Sequence, residues 1–194
     1  ALSGTSVATD YVEFPSQLLE RWLSTPEVLQ KFALHYQTGQ PIPQALVDKI
    51  NKAAQFNEGF KTVEAVSSAL VDMKLHLAGD QKIDPDAFEK ETLAALHMPS
   101  EMVMRHRTPQ FGHIFADDGY SAGYYSYLWS DVLSADAFEA FTEAGGPYDK
   151  AVAKRLYDTI FSVGGTVDEA TAYRNFRGHD PSTDALMRNR GFKR

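Results

Sequence analysis

One stretch of the chain combines a histidine, several glycines and four tyrosines, which are residue types able to bind and polarise a ligand. It runs from Phe111 to Trp129 and reads Phe-Gly-His-Ile-Phe-Ala-Asp-Asp-Gly-Tyr-Ser-Ala-Gly-Tyr-Tyr-Ser-Tyr-Leu-Trp. Tyr120, Tyr124 and Tyr127 are spaced i, i+4 and i+7, which on a helix places three phenol hydroxyls on one face. We therefore predict a loop that carries His113 and continues without a break into an aromatic helix ending near residue 143.

The choice of tyrosine over phenylalanine on this face indicates a polar cleft. A buried phenol needs a hydrogen-bond partner, and leaving it without one costs roughly 1–3 kcal/mol, whereas phenylalanine fills the same space without that cost. The alternative is that these aromatic side chains are ordinary core. Tyr125, Leu128 and Trp129 point away from the tyrosine face and are expected to pack into a core.

A second polar stripe lies near the start of the chain. Glu13, Gln17 and Glu20 repeat the i, i+4, i+7 spacing on a helix predicted from Asp10 to about Leu23. Taken alone, such a stripe is typical of a solvated helix face. The isolated histidines in other predicted helices have no second ligand at metal-ligand spacing, so they are interpreted as ordinary surface or core residues: His35, His76 and His97.

Helical periodicity, with proline and capping residues at the starts and glycine at the ends, predicts helices along the whole chain. After the first helix these cover residues 26–37, 44–56, 60–77, 85–97, 149–161, 166–176 and 182–190, in addition to the tyrosine helix. No strand-type alternation of useful length occurs, and neither repeats nor composition shifts mark a linker. The sequence therefore predicts an all-α domain.

Composition narrows the class of protein. The 194 residues are 43% hydrophobic and 23% charged, which is typical of a globular domain. The net charge of −7 argues against a nucleic-acid or anionic-membrane partner. No run of 18 apolar residues is present, and with no cysteine there can be no disulfide. We expect a cytoplasmic protein, although a periplasmic one is compatible with the same features.

Three long segments of the chain carry a resemblance to a known family. The first is Gly4-Thr-Ser-Val-Ala-Thr-Asp-Tyr-Val-Glu-Phe-Pro-Ser-Gln17, and the second is the Phe111–Trp129 stretch. The third is the tail, with Gly164-Gly-Thr, Asn175-Phe-Arg-Gly, Asp180-Pro, Asp184-Ala-Leu and Arg190-Gly. These segments resemble the thimet oligopeptidase and peptidyl-dipeptidase family of zinc metallopeptidases, and the tail is similar to the bacterial peptidyl-dipeptidase branch. The resemblance covers essentially the whole chain, in order.

The resemblance implies a role for each candidate residue. Glu13 would be a zinc ligand, with Gln17 supporting it one turn later. His113 and Tyr120 would hold the peptide substrate, and Tyr124 and Tyr127 would donate hydrogen bonds near the scissile carbonyl. Asp117-Asp118 stands where relatives are richer in glycine. The match to the family is therefore less close at His113 than at the tyrosines.

One element of that family is missing from the chain, because no His-Glu-x-x-His motif occurs in it. The resemblance places this motif just upstream of Ala1, so residues 1–194 are expected to be the C-terminal portion of a peptidase catalytic domain. The parent enzyme would use one zinc ion to hydrolyse short peptides, releasing C-terminal dipeptides. The chain alone would be inactive and would self-associate through surfaces exposed by truncation. The alternative is a helical peptide-binding module without catalysis.

Overall fold

A computed structural model describes residues 1–193, and it contains helices but no β-strand within that range. The helices are α1 Phe14–Glu20, α2 Pro26–Phe32, α3 Gln44–Ala54, α4 Glu58–Leu77, α5 Pro85–Ala95, α6 Gly112–Phe115, α7 Ser126–Glu143, α8 Lys150–Leu156, α9 Glu169–Arg177 and α10 Asp184–Asn189. Short 3₁₀ segments lie at Arg21–Ser24, Thr108–Gln110 and Gly164–Thr166, and a π-helical turn at Tyr157–Phe161 continues α8. The all-α prediction is confirmed.

Aspartate side chains fix the starts of three helices. Asp84 accepts the backbone N–H of Ala87 at 2.9 Å at the start of α5, and Asp149 accepts that of Val152 at 2.9 Å at the start of α8. Asp168 does the same for Thr171 at the start of α9. These bonds satisfy donors that a helix leaves without partners in its first turn.

The first two helices of the chain are clearly shorter than the sequence suggested. The first helix begins at Phe14 rather than Asp10, because residues 9–13 form turns. The second ends at Phe32 rather than near residue 37. There the backbone pairs elsewhere: Leu34 bridges to Pro41, and Ile42 donates to the carbonyl of Ala33 at 2.9 Å.

The chain divides into two compact units. One contains Ala1–Glu58 and the chain from Ser130 onward, and the other contains Gly59–Trp129. The first unit has the larger core, which is built from α1, α7, α8 and α9 and their neighbouring turns: Tyr11, Phe14, Leu18, Leu133, Ala137, Ala140, Phe141, Val152, Leu156, Ile160, Ala172, Tyr173 and Phe176. The core of the second unit is smaller and consists of Val71, Met104, Phe111 and Ile114, with Tyr124 packed against it.

No helix between residues 1 and 193 combines the length and the apolar character needed to cross a lipid bilayer.

Candidate functional site

The tyrosines of the second unit gather around His113, although they do not share one helix. The aromatic helix α7 begins at Ser126, so Tyr120 and Tyr124 lie on the turns before it, and the predicted continuous helical face is wrong. The rings nevertheless meet. The Tyr120 and Tyr127 rings stack with centroids 5.4 Å apart, and Tyr124 packs edge-on against Tyr127 at 5.3 Å.

His113 lies on the short helix α6 and faces all three tyrosine rings. Its ring centroid is 5.8 Å from that of Tyr120, 5.8 Å from that of Tyr124 and 6.2 Å from that of Tyr127. The His113 side chain is exposed, whereas the three tyrosines are half-buried. We refer to His113, Tyr120, Tyr124 and Tyr127 as the aromatic cluster.

Backbone geometry explains why turns, rather than a helix, carry Tyr120 and Tyr124. Ala122 has a left-handed φ of +56°. A side chain on Gly123 would place its Cβ 3.3 Å from the Cα of Tyr120, so the close approach of these segments favours glycine. Before them, the Asp117 carboxylate accepts the N–H of Gly119 at 2.8 Å and closes a turn.

A buried carboxylate fastens these turns to α4. Asp72 is only 1% exposed and accepts the backbone N–H groups of Ala122 at 3.0 Å and Tyr124 at 2.9 Å. Its Oδ1 also lies 2.8 Å from Nδ1 of His76. Sequence analysis missed Asp72. The spacing Asp72-x-x-x-His76 places both side chains on one face of a helix and was the available signal.

Two hydrophobic residues predicted to be core are instead partly open to solvent. Tyr125 is 41% exposed and Trp129 is 38% exposed. Tyr125 is the last turn residue before α7, and Trp129 lies in the first turn of that helix.

The surroundings of the Tyr124 phenol raise its pKa further above the neutral range, in which a tyrosine is already protonated. Burial raises the pKa of Tyr124, and the nearby Tyr127 acts in the same direction, while the charge of Arg105 acts in the opposite direction. A phenol with a raised pKa remains a hydrogen-bond donor at neutral pH. The Tyr124 hydroxyl can therefore donate a hydrogen bond to an oxygen that carries developing negative charge.

Glu13 lies in the first unit, immediately before α1. The flanking side chains of Tyr11 and Phe14 are buried in the core, and Ser130 donates to the carbonyl of Asp10 at 3.1 Å, which ties this segment to α7. The Glu13 carboxylate is half-buried and accepts the Ser16 hydroxyl at 3.2 Å. It is a carboxylate held on a well-anchored segment.

The described residues can supply one zinc ligand, but they do not supply the complete ligand set of a catalytic zinc site. A carboxylate such as Glu13 is a normal zinc ligand, but three protein ligands are needed for a catalytic site. Between residues 1 and 193 there is no group of three or more histidines or carboxylates arranged to hold a metal ion. His106 stacks on Phe111 at 5.1 Å and lies 6.4 Å from His113, and this pair has no third partner of that kind.

Comparison with known proteins identifies the family to which this chain belongs. The model of peptidase family M3 matches residues 1–192. Dipeptidyl carboxypeptidase of Salmonella typhimurium is 38% identical over 196 residues, and that of Escherichia coli is 38% identical over 193 residues. These alignments cover 100% and 98% of this chain but 28% of each relative.

Oligopeptidase A of Escherichia coli is 37% identical over 198 residues, covering 99% of this chain and 28% of that protein. The chain thus spans about 28% of the length of the curated relatives that it matches. Since the family model covers nearly every residue, including Glu13 and the whole aromatic cluster, the chain belongs to peptidase family M3.

Proposed function

We propose that this chain is the C-terminal portion of the catalytic domain of a zinc-dependent oligopeptidase that releases C-terminal dipeptides from short peptides. The observation that carries the proposal is the aromatic cluster, in which one histidine ring contacts three tyrosine rings at 5.8–6.2 Å in a chain of family M3. Relatives with 38% identity bear the name dipeptidyl carboxypeptidase, which favours dipeptide release over internal cleavage.

In this proposal, Tyr124 and Tyr127 act on the reacting carbonyl. Their rings are in contact, and both phenols can donate because a tyrosine hydroxyl carries its proton at neutral pH. As a peptide carbonyl becomes tetrahedral its oxygen gains negative charge, and fixed phenol donors stabilise that charge. His113, the exposed member of the cluster, and Tyr120, whose ring lies 5.8 Å from that of His113, hold the peptide in position.

Glu13 would serve as one of the zinc ligands. A bound zinc ion polarises a carbonyl and lowers the pKa of a water molecule. The remaining ligands and the general base would come from a His-Glu-x-x-His helix outside residues 1–194. The chain alone would then have little affinity for zinc and no peptidase activity.

The test compares this chain with the natural full-length protein. Only the full-length protein should contain zinc, measured by mass spectrometry, and release dipeptides from short peptides. The substitution Glu13→Gln in that protein should remove both the zinc and the activity. Ser16→Ala, which changes the neighbour of Glu13 without removing a carboxylate, serves as the control. A full-length protein that contains zinc and cleaves peptides equally well after Glu13→Gln would reject the ligand assignment.

A second candidate function is a non-catalytic helical peptide-binding module. It is favoured by the aromatic cluster, which is assembled in the described residues without any metal-binding group beside it. Under this alternative, short peptides bind the isolated chain with the same affinity in the presence and absence of zinc. Calorimetric titration with and without a chelator distinguishes the two candidates.

The same proposal predicts self-association of the isolated chain. Several large apolar side chains are highly exposed in the first unit: Phe32 at 68%, Tyr36 at 87% and Phe56 at 72%. Exposed apolar groups of this size are typical of surfaces that are covered in a larger protein. Light scattering should show an average mass that rises with concentration, and a constant monomer mass would reject this part of the proposal.

For the natural protein we propose a cytoplasmic location, which cell fractionation would test.

A further inference from the structure

A small cavity of about 200 Å³ opens beside the aromatic cluster, within the second unit. Tyr124 and Tyr127 form one wall, and the other polar lining residues are Lys61, Glu64, Ser68 and Arg105. Two of these side chains are cationic and one is anionic, in a chain whose net charge is −7. The lining of the cavity therefore has one more cationic than anionic side chain, in an acidic protein, and such a lining favours an anionic group.

Arg105 is the lining residue best placed to bind an anion. Its side chain is exposed, and within residues 1–193 it makes no hydrogen bond or ion pair. Arg107, two residues further along, is fully engaged, because its guanidinium contacts Asp86 at 2.8 Å and Glu89 at 2.6 Å. Of these two neighbouring arginines, only Arg105 has a guanidinium without a carboxylate partner.

The charge of Arg105 reaches the tyrosine wall. The Arg105 guanidinium lowers the pKa of Tyr124, against the larger effect of burial, while Glu64 raises it. A group bound at Arg105 would therefore lie next to the phenols that we assign to the reacting carbonyl. An arginine suits a carboxylate in particular, because its planar guanidinium can donate two parallel hydrogen bonds to the two oxygens.

We propose that Arg105 binds the free α-carboxylate at the C-terminus of the peptide substrate and so selects peptides that end near the reacting bond. This inference rests on the proposed function and adds to it the chemical feature by which the substrate is recognised. An enzyme that removes dipeptides must bind the end of the peptide at a fixed distance from the reacting bond. A cation beside the catalytic tyrosines can bind that end. Arg105 is thus a specificity-determining residue.

The experiment uses the natural full-length protein and pairs of peptides with one sequence, ending either in a free carboxylate or in an amide. The wild-type protein should cleave the acid with a kcat/KM about 10- to 100-fold higher, the size expected for a charge-assisted hydrogen-bonded pair. Arg105→Gln should abolish this preference by slowing cleavage of the acid alone, with the amide unchanged. Arg105→Lys should keep part of the preference because it retains the charge.

Lys90→Gln is the matched control, since it removes one exposed positive charge from another surface of the same unit, and it should leave the preference unchanged. Equal cleavage of acid and amide by the wild-type protein, or a preference that survives Arg105→Gln, would overturn the inference while leaving peptidase activity intact.

If the wild-type protein cleaves neither peptide, the proposed function has failed, and binding to this chain decides the inference separately. Calorimetry with the dipeptide Ala-Leu and its amide should then show tighter binding of the acid, lost in Arg105→Gln. Equal binding of the two would overturn it.

Discussion

The carboxylate of Asp72 accepts the backbone N–H of Tyr124 at 2.9 Å, which connects the middle of α4 to a tyrosine of the aromatic cluster. The same carboxylate holds Ala122, the residue with the left-handed backbone, and contacts His76. Because Asp72 is almost completely buried, these bonds are made in a region of low dielectric constant, where an unpaired partner is costly. The position of the tyrosines therefore depends on a residue outside the tyrosine segment.

Replacing Asp72 by alanine should destabilise the chain by about 2–5 kcal/mol, since it removes the acceptor of the Tyr124 N–H. It also removes the nearer of two partners for the Ala122 N–H and for His76 Nδ1. Urea denaturation followed by circular dichroism measures this free energy of unfolding. Asp86→Ala, in which the lost carboxylate is 74% exposed, is the control and should cost less than about 1 kcal/mol. Similar losses for both variants would show that Asp72 does not anchor the turns.

For two buried tyrosines of the first unit, we predict opposite changes in the stability of the fold when the hydroxyl group is removed. The Tyr173 hydroxyl donates to Asp136 at 2.6 Å, so Tyr173→Phe should destabilise the fold by about 1.5–3 kcal/mol. The Tyr11 hydroxyl is buried and, in residues 1–193, has no hydrogen-bond partner. Tyr11→Phe should therefore be neutral or stabilise by up to about 1 kcal/mol. Thermal unfolding of both variants measures the difference, and a destabilised Tyr11→Phe would contradict it.

Acid should weaken the ion pair between α7 and α9. Arg177 donates to both oxygens of Glu143, at 2.9 and 3.0 Å, and these hydrogen bonds lower the pKa of Glu143. The pair therefore contributes its full stability above the ordinary glutamate pKa of 4.5 and loses it as the pH falls through the lower pKa of the folded state.

Glu143→Gln should accordingly be less stable than wild type at pH 7, and the difference should shrink as the pH falls below 4.5. Urea midpoints at pH 7, 4 and 3 measure this change. The exposed Glu27→Gln provides the control and should show no such convergence. A constant gap between wild type and Glu143→Gln across the series would mean that the pair does not respond to acid.

In the natural full-length protein, Tyr124→Phe and Tyr127→Phe should lower kcat for peptide hydrolysis by roughly 10²–10³-fold each, because each removes a donor to the developing oxyanion. The KM should change little. Tyr157→Phe, at an exposed position 61% open to solvent, should have no effect. A rise in KM with an unchanged kcat would reassign these tyrosines to substrate binding.

The sequence predicted the residues of the cluster better than its backbone. The i, i+4, i+7 spacing grouped Tyr120, Tyr124 and Tyr127 correctly, yet the helix begins only at Ser126. Local periodicity could not reveal this, because the turns depend on long-range bonds from Asp72 and on the close approach at Gly123.

The early end of α2 has a similar cause. The segment to residue 37 has helical periodicity, but the pairing of Leu34 with Pro41 competes for the same backbone groups. The helix starts capped by Asp84 and Asp149 were predicted to within one residue, since such a side chain acts within three residues of its own position. The assignment of Glu13 as a zinc ligand stays a prediction, which rests on the family resemblance. The absence of a His-Glu-x-x-His motif, in contrast, is a property of the chain as printed.

The measurement that tests the central claim most directly is dipeptide release, together with zinc content, for four proteins: this chain, the natural full-length protein, and full-length Glu13→Gln and Tyr124→Phe. We expect zinc and activity in the full-length protein, neither in this chain or in Glu13→Gln, and zinc without efficient cleavage in Tyr124→Phe. Zinc binding and peptide cleavage by this chain alone would contradict the account, because they would require a metal site among residues other than those assigned here.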